Sequence, residues 1–151
     1  MRGISNHDIG NFLSGRALHF QGVFSSNNIP QSIGGKENFS FICNHSKLGE
    51  LGTHFVTVIG FSNLILYIDT FGSPCRIKEI SKFLDLQDRP VSYNSTKIQS
   101  DSSYFCGFYC IMYVLYFDMI FKKRTVGKIE FDSVNLLNND SICLDEIKKL
   151  V

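Results

Sequence analysis

The chain has 151 residues, of which 44% are hydrophobic and 19% charged, and its formal net charge is +1. This length predicts one domain over residues 1–151 that buries its core without disulfide staples. The small net charge argues neither for nor against a nucleic-acid partner. Five irregularly spaced cysteines and an N-terminus without a secretory signal pattern predict an intracellular, reducing compartment with mostly free thiols.

The first third of the chain predicts a helix followed by strands. Ser5 and Asp8 have the spacing of a capping box, so a helix is expected to begin here and to end at Gly15. The segments Leu18–Phe24 and Phe39–Cys43 then predict two strands, because apolar and aromatic residues recur in each.

A β-hairpin is predicted next, from Thr53–Ile59 and Leu64–Thr70 around the turn 60–63. If the turn is centred between its second and third residues, His54 lies directly across from Asp69. Their Cβ atoms would then be roughly 4.5–5.5 Å apart. The register follows from the turn and not from any assumption about chemistry.

A histidine beside a carboxylate has two interpretations. The carboxylate can hold one tautomer of the ring and stabilise the imidazolium, as the base and its orienting partner do in nucleophilic catalysis. The alternative is a cross-strand pair that contributes only ~0.2–1 kcal/mol to the sheet.

Three further element boundaries can be predicted after the hairpin. Ser73 and Pro74 suit the N-cap and first position of a helix. The segment Val91–Ile98 predicts a strand with an exposed side. Asp140 is expected to cap a last amphipathic helix.

A polar loop then delivers Cys106 to the start of a long apolar helix. Ser102 or Ser103 is expected to cap this helix, and the helix dipole favours the thiolate of Cys106. Gly107 would let another backbone pass close by. The alternative is that Cys106 and Cys110 are two small core residues.

A membrane-spanning helix is a rival interpretation of the apolar run Tyr104–Phe121, which precedes the basic residues 122–124. Asp118, Gly107 and the polar residues just upstream favour a buried core helix instead. No membrane partner is therefore expected.

In chain order, His54, Asp69, Gln99 and Cys106 resemble the site of the adenain-type cysteine proteases, the family of the adenovirus endopeptidase. The resembling motifs are Gly-Thr-His-Phe at 52–55, Tyr-Ile-Asp-Thr-Phe-Gly at 67–72, Gln99 seven residues before the Cys-Gly pair 106–107, and Phe20–Phe24 followed by Pro30. The resemblance covers roughly residues 5–121.

The resemblance implies an α+β fold, analogous to papain, with a mainly antiparallel or mixed central sheet packed against a buried Cys-bearing helix. Cys106 would be the nucleophile, His54 the base and Asp69 its orienting carboxylate. The Gln99 side chain and the Cys106 N–H would form the oxyanion hole.

The resemblance also implies a function, an endopeptidase that cleaves viral precursor proteins near glycine residues. It implies no metal or organic cofactor, although an activating peptide or DNA can accompany such enzymes. The location would be the host cell, including the nucleus, and the virion, and the source a virus or virus-like element.

Two departures from the family pattern bear on these expectations. Phe55 stands where the family often has tryptophan, so contacts at that subsite would differ. No cysteine occurs between Cys75 and Cys106, which argues against an activating peptide held by a disulfide. The basic cluster 122–124 is small for a DNA-binding surface.

Other functions share some of these residues. A protease of ubiquitin-like modifiers or an acyltransferase of related fold would use the same His, acid and Cys, although an acyltransferase would need an acyl-CoA pocket. From a different class, a binding module could ligate zinc through Cys106, Cys110 and a histidine, but no second ligand pair at finger-like spacing is present.

Overall fold

The computed structural model describes residues 3–45 and 54–151, which form helices packed on a central sheet. The helices are α1 (Asn6–Leu13), α2 (Lys78–Asp85), α3 (Cys106–Phe121) and α4 (Asn138–Leu150), with a 3₁₀ helix at Gln31–Gly35. The strands are β1 (Phe20–Ser25), β2 (Phe39–Asn44), β3 (Phe55–Phe61), β4 (Leu64–Ile68) and β5 (Val91–Tyr93). The prediction of an α+β fold with a mixed sheet is confirmed. Gly52 and Thr53, part of one family-like motif, lie outside the described residues.

The strands follow chain order across the sheet, β1-β2-β3-β4-β5. The two central pairings are antiparallel, whereas β1 with β2 and β4 with β5 are parallel. Helix α2 covers one face of the sheet, and α1 and α3 cover the other. Every residue of β2 is buried, because this strand lies between the two layers of helices.

The hairpin forms, but its register differs from the prediction by two residues. Phe61 pairs with Leu64 and Thr57 with Ile68, so the turn has only two residues and is centred one residue later than expected. Extending this register places Phe71, rather than Asp69, across from His54. A shift of two residues leaves every side chain on its predicted face, because side chains alternate with a period of two.

Helix α1 confirms its predicted boundaries. Ser5 is the N-cap, its hydroxyl oxygen accepts the Asp8 N–H at 3.1 Å, and its own O–H donates to the Asp8 carboxylate. Gly15, with a φ of 81°, follows the C-terminal end at Ser14. The left-handed conformation at this point favours glycine.

Two predicted helix starts are wrong. Helix α2 begins at Lys78 with Ile77 as its N-cap, so Ser73 and Pro74 lie in the connection before it. Asp140 does not cap α4 but lies in its first turn. There it accepts hydrogen bonds from the side chains of Ser103 and Tyr109, which join α4 to α3 and to the loop before α3.

The start of α3 also differs in detail. Its N-cap is Phe105 and has no side-chain cap, so neither predicted serine fills that role. Ser103 instead accepts the Phe105 N–H at 3.1 Å and donates to Asp140. Gly107 makes room for side chains and not for a backbone, because a Cβ there would lie 2.3 Å from the Ile4 side chain.

The apolar helix α3 lies inside the fold, between the sheet and α4. Asp118 is buried within it, and its carboxylate accepts the Leu18 N–H at 2.9 Å and pairs with Lys122 at 2.7 Å. These partners explain how a charged residue is accommodated in an apolar helix. Among the described residues, no helix combines the length and apolar character needed to cross a bilayer.

Candidate active site

The four predicted site residues lie at the ends of structural elements. His54 directly precedes β3, Asp69 directly follows β4, Gln99 lies in the loop after β5, and Cys106 is the first residue of α3. His54 and Asp69 form a direct hydrogen bond, and the Cys106 thiol interacts with the His54 ring.

Asp69 fixes the orientation of His54. The His54 Nε2 atom and the Asp69 Oδ1 atom are 2.8 Å apart, and both residues are buried. Burial alone would raise the pKa of Asp69, but the hydrogen bonds from His54 and from the Phe71 N–H hold that pKa below its usual value. The carboxylate is therefore ionised and accepts, so Nε2 donates the proton in this pair.

The protonated form of His54 is favoured strongly. Burial of the ring disfavours its charge, but the interactions with Asp69 and with the Cys106 thiol outweigh burial and raise the pKa of His54 to about 9. The Nδ1 atom is buried without a hydrogen-bond partner of ordinary geometry among the described residues. It is the atom that remains available to exchange a proton with the thiol.

Cys106 is the only one of the helix cysteines placed to react. It is partly exposed at the first position of α3, where the helix dipole stabilises negative charge. Cys110, one turn later, is buried, and burial raises the pKa of its thiol. All five cysteines are free, which confirms the expectation of mostly unpaired thiols.

Gln99 is almost fully buried, with 1% of its surface exposed. Its Oε1 atom accepts from the Thr70 hydroxyl at 2.5 Å, and its Nε2 atom donates to the Ser103 carbonyl at 3.1 Å. Because the Ser103 carbonyl can only accept a hydrogen bond, the NH₂ end of the Gln99 amide faces the loop before Cys106. The role of Gln99 in an oxyanion hole stays a prediction.

Sequence reasoning missed the residues that hold Asp69 and His54. Asn94 bonds both backbone groups of Asp69, accepting its N–H at 2.7 Å and donating to its carbonyl at 2.6 Å. This contact also explains why β5 ends at Tyr93 and does not reach Ile98, since a side chain replaces the strand pairing. No local motif distinguishes Asn94 from other loop asparagines.

Phe71 and Gly72 also help to position the His54–Asp69 pair. The Phe71 ring stacks on the His54 ring with centroids 4.6 Å apart. Gly72 has a φ of 71°, and a Cβ there would lie 2.8 Å from the Ser95 carbonyl oxygen. Only glycine suits this close approach. A correct hairpin register, which places Phe71 across from His54, would have predicted the stacking of the two rings from the sequence.

A second histidine lies beside the pair. The His45 ring meets the His54 ring edge-on at 5.0 Å, and its Nε2 atom is 3.5 Å from the Tyr67 hydroxyl. Burial, followed by the charge of His54, lowers the pKa of His45. His45 directly follows β2, and no motif in the sequence marks it as part of the site.

One group of described residues is suited to hold a metal ion, namely His45, His54 and Asp69, whose ligand atoms all lie within 4.8 Å of one another. The zinc alternative from the sequence used Cys106, Cys110 and a histidine. Neither cysteine belongs to the group, and the burial of Cys110 disfavours the thiolate that zinc requires.

The sequence was compared with family models and with curated proteins. No family model matches the chain, and no curated protein matches it.

Proposed function

We propose that the protein is a cysteine endopeptidase of the adenain type, with Cys106 as its nucleophile. The observation that carries this proposal is that one thiol at a helix start interacts with a buried histidine that a carboxylate holds in place. A nucleophile, a base and an orienting group in this order are the parts that acyl transfer requires.

The reaction follows from the protonation states. The Cys106 thiolate attacks the peptide carbonyl carbon, and the protonated His54 gives its Nδ1 proton to the leaving amine. The acyl-enzyme thioester is then attacked by water, whose proton His54 accepts, and the thiolate is released. Asp69 keeps the imidazolium stable and the ring oriented throughout.

The oxyanion that forms at each step needs donors. The Cys106 N–H at the free end of α3 is one, and the Gln99 Nε2 group is the second in this proposal. Gln99 is rigidly held by Thr70 and Ser103, and a donor fixed in advance stabilises developing charge most effectively.

A pocket of about 510 Å³ lies beside the loop that precedes Cys106. Phe105, Leu137 and Leu144 line it together with a few polar residues. Its position and apolar lining suit a side chain of a protein substrate. We propose that the substrates are viral or virus-like-element precursor proteins, cleaved near glycine residues, as the family resemblance implies.

The same resemblance supports the remaining parts of the proposal. An activating peptide, if there is one, would bind without a disulfide, and DNA is a further candidate activator. The enzyme would act inside the host cell and in the virion. The arrangement relative to papain is likewise part of the proposal, whereas the α+β class is observed.

The test is cleavage of fluorogenic peptides that contain glycine next to the scissile bond. Cys106→Ala should abolish turnover, whereas the matched variant Cys110→Ala, one turn away, should retain it and lose mainly packing energy. Cleavage that survives Cys106→Ala would contradict the proposal. Preference for a folded ubiquitin-like protein over these peptides would instead identify a modifier protease.

A further inference from the structure

The cluster of His45, His54 and Asp69 contains one more imidazole than the proposed protease mechanism uses. Two imidazoles and one carboxylate offer ligand atoms within 4.8 Å of one another. Zinc sites in proteins often combine such ligands and leave a fourth position for water. His45 has no role in the proposed reaction.

We propose that His45, His54 and Asp69 bind a zinc ion, and that zinc bound there inhibits peptide cleavage reversibly. The ion would take the place of the proton between His54 Nε2 and Asp69 Oδ1, and that proton would leave to solvent. The ring would keep its Nδ1 proton, but the N–H of a zinc-bound neutral imidazole is a weaker acid than that of the imidazolium, so His54 would protonate the leaving amine poorly. The inhibitory part rests on the proposed protease function, but the binding part does not.

The geometry needs only small adjustments. Tetrahedral zinc with bonds of about 2.0–2.2 Å places its ligand atoms about 3.3 Å apart. The 2.8 Å separation of His54 Nε2 and Asp69 Oδ1 therefore has to open by about half an ångström, and the His45 ring has to approach.

His45 is able to make that approach. Its ring is partly exposed, and its hydrogen bond to the Tyr67 hydroxyl is long at 3.5 Å. Its backbone is anchored, since the His45 N–H donates to the His54 carbonyl at 2.9 Å. Rotation of the side chain about a fixed backbone can thus bring a ring nitrogen closer to the pair.

The Asp69 carboxylate is held with its Oδ1 atom towards His54, the side on which zinc would bind. Its Oδ1 atom accepts both hydrogen bonds that the described residues give this carboxylate, from His54 and the Phe71 N–H, and Oδ2 accepts none. Asn94 fixes the Asp69 backbone through two hydrogen bonds. Outer contacts of this kind orient metal ligands and strengthen binding.

A competing arrangement would place zinc between the Cys106 thiolate and His54, without His45. The two arrangements differ in their ligands, because the proposed one contains no sulfur. A variant without the thiol and a variant without the second imidazole therefore distinguish them.

The binding test uses the full chain with Cys106→Ala, titrated with zinc chloride in a calorimeter without chelators. We expect one zinc ion per chain, and at least tenfold weaker binding when His45→Gln is added. His7→Gln is the matched control, because His7 lies exposed on α1 and bonds Asn11. Absence of zinc binding to Cys106→Ala, or equal affinity after His45→Gln, would overturn the inference.

X-ray absorption on the zinc-loaded wild-type chain gives an answer even if His45→Gln does not fold. Nitrogen and oxygen neighbours at about 2.0–2.2 Å are expected, whereas a sulfur neighbour at about 2.3 Å would overturn the proposal. In the active enzyme, His45→Gln should leave kcat/KM within about twofold and raise the inhibitory zinc concentration at least tenfold.

The outcomes separate this inference from the proposed function. A chain that binds zinc through His45 but cleaves no peptide would retain the site and contradict the protease. A chain that cleaves peptides through Cys106 but binds no zinc would contradict only the site.

Discussion

Cys106 and Cys75 are the two partly exposed thiols of the chain, and they provide an internal test of the candidate site. Cys75 lies near Ser81, whose hydroxyl is 3.4 Å from its sulfur, and no hydrogen bond joins it to a described histidine. Cys106 interacts with His54. At pH 6, limiting iodoacetamide should therefore alkylate Cys106 at least ten times faster than Cys75.

The magnitude follows from linkage between the thiol and the ring. Against the opposing effect of burial, Asp69 and Cys106 together raise the pKa of His54 from 6.5 to about 9. The contact is mutual, so the charged ring stabilises negative charge on the Cys106 sulfur just as that sulfur stabilises the charged ring. A charge-assisted hydrogen bond of about 1.4 kcal/mol corresponds to a tenfold faster reaction.

The other three cysteines should remain unlabelled in the native state. Cys43 is fully buried, and burial raises the pKa of its thiol to about 12. At pH 6 only about one Cys43 in 10⁶ would then be a thiolate. Burial also raises the pKa values of Cys110 and Cys143.

Peptide mapping by mass spectrometry after short reaction times measures all five rates at once. His54→Ala should bring the Cys106 rate down to that of Cys75 and leave the Cys75 rate unchanged. Equal labelling of Cys106 and Cys75 in the wild-type chain, or labelling of Cys110 as fast as Cys106, would refute the activation of Cys106 by His54.

Two further predictions concern the oxyanion hole and activation. Gln99→Ala should lower kcat by roughly 10²–10³, and it should cost about 1–3 kcal/mol in unfolding free energy because it leaves Thr70 and the Ser103 carbonyl without their partners. Urea unfolding beside steady-state kinetics separates the two effects, and an unchanged kcat would place the oxyanion hole elsewhere. Turnover should also not require a disulfide-linked peptide, since no cysteine occurs between Cys75 and Cys106 to hold one; a peptide disulfide-linked to Cys43, Cys75 or Cys143 and needed for turnover would contradict this.

The His54–Asp69 pair could be predicted from sequence because only the face of each strand mattered. The turn was placed one residue too early, which moved the register by two residues. That error kept both side chains on one face, and the side chains are long enough to meet from diagonal positions. An error of one residue would have separated them.

The supporting residues could not be predicted because their contacts are distant in sequence. Asn94 reaches Asp69 across 25 positions, and a loop asparagine has no distinguishing neighbours. Asp140 was expected to cap its own helix, whereas its partners Ser103 and Tyr109 belong to another part of the chain. Capping and turn patterns in the sequence predict only the contacts that a residue makes within its own helix, strand or turn.

The dependence of stability on pH tests the pair independently of catalysis. The pKa of His54 is raised from 6.5 to about 9, so its contribution to folding stability is fully present below pH 6.5 and is lost as the pH rises through 9. A rise of that size corresponds to about 3 kcal/mol. The lowered pKa of Asp69 reflects the same contact, and its contribution to stability is constant above the titration range of the carboxyl group and is lost only as the pH falls through that range.

Urea unfolding between pH 5 and 10, with a reductant present, measures this contribution as a difference between variants. The unfolding free energy of the wild-type chain should fall relative to that of Asp69→Asn between pH 6.5 and 9, because the variant lacks the carboxylate that stabilises the imidazolium. Taking the difference cancels other groups that titrate in this range. His7→Gln, on the exposed side of α1, should follow the wild-type curve. A constant difference between the wild-type chain and Asp69→Asn over this interval would mean that Asp69 does not raise the pKa of His54, and Asp69 would then have no role in stabilising the proposed thiolate–imidazolium pair.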